Sequence, residues 1–183
     1  MFNSSIKIDK KIIIIICLIL FGITLRLIPH PPNFSPIGAI ALFAGCHLSL
    51  KRFWLLPIFA LFISDFFLGF YNLISMISVY VSFVISVIIG HCFLRIKRTP
   101  FRIGGVAILS ATQFFIFTNL GVWFSGLIYQ LNLTGLAECY LMAIPFYGNS
   151  LISELFYCFI LFGSYHLFEL SLRENHFPGF RNN

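Results

Sequence analysis

Charge is scarce in this chain. Asp, Glu, Lys and Arg make up 10% of its 183 residues, where a water-soluble domain carries about a quarter. Acidic residues are scarcer still, six against twelve Lys and Arg. That shortage excludes a soluble enzyme or a free nucleic-acid binder. Catalytic signatures are missing too: no phosphate-cradling glycine loop, no His-Glu-x-x-His and no Gly-x-Ser-x-Gly elbow. Nothing in the spacing of Asp65 and Glu154 calls for intramembrane catalysis, so no enzyme and no cofactor are expected. The five cysteines lie mostly inside apolar runs and compose no secreted disulfide framework.

What is present in quantity is apolar. Hydrophobic residues reach 59% and aromatics 18%, with 24 Phe, and the mean hydropathy is +0.95. A membrane span needs about 20 apolar residues, and shorter runs occur where the bundle adapts. Six runs are apparent: Ile12–Ile28, Pro36–Leu48, Phe53–Phe70, Leu73–Phe93, Ile103–Tyr129 and about Asn149–Leu170. They predict an all-α integral membrane bundle of six transmembrane helices over 12–170, with short tails at 1–11 and 171–183. Eleven of the twelve Lys and Arg fall in 1–11, 49–53, 94–102 and 171–183, and only Arg26 falls elsewhere. Basic residues concentrate on the cytoplasmic side. Both termini are therefore expected inside, on the cytoplasmic face. Lys10-Lys11 and Ile12–Leu20 mimic the start of a signal peptide. No small-x-small cleavage site follows, so the first run is expected to remain a helix.

The outer loops differ. Pro29–Pro36 holds four prolines in eight positions and should be stiff. Gln130–Gly148 is too long for a turn and is expected to re-enter or cap the bundle. Asn132-Leu-Thr134 matches a glycosylation acceptor, a short and unspecific pattern.

Ionisable groups inside a bilayer are costly, so each invites a function and a partner. Asp65 lies five residues before the outer end of the third run, roughly 8 Å deep. Glu154 is placed at similar depth in the sixth, and Arg26 ends the first. One reading is a structural ion pair; the other is a pocket in the outer half. Ser150, Ser153, Glu154, Tyr157 and Leu161 share one helical stripe, which turns Glu154 into the bundle. Thr112, Asn119 and Trp123 form a second stripe, readable as interhelical glue or as pocket lining. Aromatics including Trp123 and Tyr140 surround this layer, and aromatics with a few convergent polar groups suit a small-molecule site. The acidic excess of Asp65, Glu138 and Glu154 over Arg26 favours a neutral or cationic ligand. Cys46-His47 and His91-Cys92 end two helices on the inner side, but neighbours on a helix diverge by about 100°. No metal is expected there.

Arg26-Leu-Ile-Pro-His30-Pro-Pro-Asn33-Phe-Ser-Pro-Ile-Gly-Ala, Ala41-Leu-Phe-Ala-Gly45 and Ser64-Asp65 resemble an uncharacterised family of small bacterial membrane proteins. So do Phe114-Phe115 to Trp123, Gly135-Leu, Cys139-Tyr140 and Pro145-Phe146, over residues 26 to 163. More distantly the chain resembles the substrate-binding subunits of energy-coupling-factor transporters. Those six-helix proteins bind vitamins from outside and join a membrane coupling subunit with ATPases. The first run lacks the small-xxx-small pair such subunits use for docking; Ala41 and Gly45 are the nearest equivalent. The expectation is a substrate-binding or uptake component for a vitamin-like micronutrient. Its ligand would meet Arg26, His30, Asn33, Asp65, Asn119, Trp123, Tyr140 and Glu154. The alternative is a non-transporting scaffold in a cell-envelope assembly.

Overall fold

The computed structural model describes residues 10–47 and 56–174. Lys7, Lys51, Arg52 and Arg181, four of the residues that argue for orientation, lie outside them. The described residues form six α-helices and no strand: α1 (Lys10–Leu27), α2 (Ile37–His47), α3 (Leu56–Leu68), α4 (Leu73–Leu94), α5 (Pro100–Phe124) and α6 (Leu133–Glu174). Three are long and apolar enough to cross a membrane: α4, α5 and Leu133–Ser171 within α6.

The bundle is built around α2. Ile37 to Cys46 are all buried, and the helix packs against α4 most closely, then α6, with α1, α3 and α5 completing its surroundings. Small residues make this enclosure feasible, because they let backbones approach. A Cβ on Gly45 would collide with the Val87 carbonyl oxygen, and one on Gly90 with that of Leu42. Each glycine admits the backbone of the other's helix. The pair sets the α2–α4 crossing, and the Ala41–Gly45 spacing is thereby used inside the chain.

The α5–α6 connection departs from the expected long loop. Gln130–Gly148 is helical from Leu133 onward, and α6 continues for 42 residues through Pro145, about 63 Å of helix. Asn132 starts it: its side-chain oxygen accepts from the Gly135 amide at 2.8 Å, an N-cap bond, and its amide donates to Gln130 Oε1. Pro145 costs one backbone hydrogen bond, yet side chains along this stretch tie it to α5. Tyr140 donates its hydroxyl to the Ile116 carbonyl at 2.7 Å, Cys139 donates to that of Asn119, and the Tyr147 and Thr112 hydroxyls are 2.8 Å apart. Tertiary contact here outweighs the local signals of Gly135, Pro145 and Gly148.

Candidate functional site

A cavity of about 590 Å³ opens among the ends of α1, α3 and α5 and the starts of α2 and α4. Its mouth lies at His30, Tyr71, Asn72, Leu127 and Ile128, and it descends to Ser86, Ser110 and Glu154. Ser86 is 13 residues into α4 and Ser110 is 14 residues from the end of α5, so the floor lies about 20 Å below those helix ends. Phe83, Phe114 and Phe146 supply apolar wall, the first two with ring centroids 5.0 Å apart.

The proline-rich segment forms one side. Asn149 Nδ2 donates to the Pro32 carbonyl at 3.0 Å and the Ser153 hydroxyl to that of Asn33. Asn33 has φ 61°, a left-handed conformation that Asn tolerates better than most residues. Clamped in this way, the segment descends along α6 and delivers the first turn of α2 to the cavity floor.

There Gly38 meets Glu154. A Cβ on Gly38 would collide with Glu154 Oε2. Glu154 is 5% exposed. The Ser110 hydroxyl faces its carboxyl, and Ser110 and Ser86 hydroxyls are 2.9 Å apart. Gln113 Nε2 donates to Ser86 Oγ at 2.9 Å and to the Ser82 carbonyl at 3.0 Å. Glu154 Oε1 has no hydrogen-bond partner.

Residues 6–176 match the model of a family of unknown function, DUF6580. The chain belongs to that family. No curated protein and no solved structure matches the chain.

In this DUF6580 member, Arg26, His30, Asn33, Asn119 and Glu154 line the cavity, whereas Asp65, Trp123 and Tyr140 are not among its lining residues. Asp65 sits behind the wall at 1% exposed. Its Oδ1 accepts from Arg26 NH2 at 2.7 Å and its Oδ2 from the Tyr80 hydroxyl at 2.9 Å. Arg26 NH1 also donates to Ser64 Oγ and to the Leu61 carbonyl. The Arg26–Asp65 pair thus locks α1 to α3. Trp123 Nε1 donates to the Gln130 carbonyl at 2.9 Å and holds the turn before α6. Glu154 is deeper than the sequence placed it, because α6 starts sixteen residues before the expected Asn149. Arg26 and Glu154 therefore mark the upper wall and the floor, not one layer. Glu138 is exposed and outside the cavity.

The α4 face of the site was not foreseen. Ser75, Ser78, Ser82 and Ser86 stand at offsets 0, 3, 7 and 11 in an apolar helix, a hydroxyl stripe that turns one side inward. At the mouth, burial and the nearby Asp65 charge push the Tyr71 phenol up to about 12, so it remains a hydrogen-bond donor at neutral pH.

At the other end of the bundle the Cys/His doublets bond to protein. The Cys46 thiol donates to the Leu94 carbonyl, and His47 Nε2 is 2.8 Å from Arg98 NH1. His91 Nδ1 is 3.3 Å from Arg95 NH1. A second cavity, about 480 Å³ and largely apolar, lies beside His47 between α5 and α6.

Proposed function

We propose that this protein is a six-span inner-membrane ligand-binding component, with both termini cytoplasmic, that takes up a small molecule of vitamin-like size from outside. The observation that carries this reading is the cavity of about 590 Å³, a volume typical of small-molecule sites. Its lining suits the task, because most of the wall surface is apolar while Arg26, Asn119, Glu154 and several hydroxyls are distributed along it. Its mouth opens at the end of the bundle away from Arg95, Lys97, Arg98 and Arg102, and basic loops favour the cytoplasmic side. On this reading Arg26, His30, Asn33, Asn119 and Glu154 meet the ligand. Asp65 holds Arg26 in place, Trp123 holds the turn before α6, and Tyr140 holds α6 against α5. The sequence carries no nucleotide-binding motif; on this reading a membrane coupling partner with ATPases supplies the drive for uptake.

Mass spectrometry of the purified protein tests this reading. A stoichiometric small molecule released on denaturation, and lost from an Asn119→Ala, Ser150→Ala double variant, is the expected result. A protein that carries nothing, and gains no thermal stability from any of a set of ring-containing metabolites, overturns it.

A further inference from the structure

The floor of the cavity is chemically one-sided. Glu154 is the one carboxylate among the lining residues, and Arg26, the one guanidinium, is already committed to Asp65, Ser64 and the Leu61 carbonyl. Among the described residues no basic side chain forms an ion pair with Glu154. The donors nearby leave Oε1 unserved: Gln113 is spent on Ser82 and Ser86, Ser86 bonds Ser110, and the Ser110 hydroxyl that faces the carboxyl does not reach Oε1. One carboxyl oxygen, Oε1, is left without a partner at 5% residue exposure. A buried acceptor without a donor costs about 1–3 kcal/mol, and more if it is charged. The first turn of α2 meets the other oxygen through Gly38, and a helix N-terminus favours negative charge beside it.

We propose that the ligand enters with a protonated nitrogen or comparable cationic N–H group foremost and seats it on Glu154, with an apolar ring body against Phe83, Phe114 and Phe146. This rests on the reading of the cavity as a ligand site and names its chemical class. A cationic N–H group supplies both the missing donor and the missing countercharge. A neutral hydroxyl supplies only the donor. A carboxylate or phosphate brings like charge to a low-dielectric floor, where repulsion is strongest.

Three two-ring probes separate these cases: 2-naphthylmethylamine, 2-naphthylmethanol and 2-naphthoate. Their affinities are measured on the full chain in lipid nanodiscs, for the native protein and for Glu154→Gln, a near-isosteric change. The native protein is expected to bind the amine about ten-fold tighter than the alcohol, and the naphthoate weakest. Glu154→Gln is expected to bring amine and alcohol within about threefold of each other while retaining alcohol binding. Naphthoate binding as tightly as the amine, or an amine preference unchanged in Glu154→Gln, overturns the proposal and leaves the cavity as a ligand site. Failure of all three probes on native protein that also carries no co-purified molecule overturns the cavity reading, and the proposal with it.

Discussion

Gly38 and Glu154 are in contact across the cavity floor, with the carboxyl occupying the space that any side chain at position 38 would need. The clash from Gly38→Ala falls on the end of a flexible side chain, not on backbone. Gly38→Ala is therefore expected to displace the carboxyl, costing about 1 kcal/mol of stability and about ten-fold in affinity for an amine-bearing probe. In a Glu154→Ser background the stability cost should vanish. Thermal unfolding of the four proteins in the cycle measures that coupling; additive effects would show that the two residues do not share the space.

At the α2–α4 crossing the obstruction is backbone. Gly45→Ala and Gly90→Ala each aim a methyl group at a carbonyl of the facing helix and are expected to cost about 3 kcal/mol. Gly104 and Gly163 face open space, with no atom within 4 Å of where a methyl group would stand. Alanine there should be neutral or stabilise by about 0.5–1 kcal/mol through helix propensity. Thermal midpoints of the four single variants separate the two classes.

Asp65→Asn removes the charge that holds Arg26. Breaking a buried pair by altering one partner costs about 3–5 kcal/mol, and Tyr80→Phe, which removes one hydrogen bond to the same carboxylate, about 1 kcal/mol. Both losses should appear in thermal denaturation. Asp65 bonds Arg26 from behind the cavity wall, so an Asp65→Asn variant with unchanged thermal stability would contradict its assignment as the lock between α1 and α3.

Single-cysteine probes in a cysteine-free background test the orientation. A probe at Asn33 should react with an impermeant reagent from outside intact cells, and one at Lys97 only after the cytoplasmic side is opened. Reversal of the two would place the cavity mouth inside.

Helical class and the three long apolar helices were legible because hydropathy records apolar surroundings directly. The inward turn of Glu154 was legible from its stripe with Ser150 and Ser153. Its depth was not. Pro145, Gly135 and Gly148 read locally as loop, while hydrogen bonds from Tyr140 and Cys139 to the α5 carbonyls keep the segment helical. That error moved the start of α6 and raised Glu154 toward the surface. Asn132 was available as a helix-start signal, but it drew attention as a glycosylation match. The separation of Asp65 from the cavity was invisible for another reason. Three helices ending on one side of a bundle fix height, and height alone says nothing about which face each residue presents.

The enclosure of α2 has a consequence for how the chain is made. Eleven residues rise about 16 Å, half the thickness of a bilayer's hydrocarbon core. With Ile37 to Cys46 all covered by neighbours, this helix owes its place to protein contacts and not to lipid. Its neighbours α4, α5 and α6 follow it in the chain, so its surroundings are complete only once they have been made. The cavity floor at Gly38 is therefore complete only when α6, which carries Glu154, is in place.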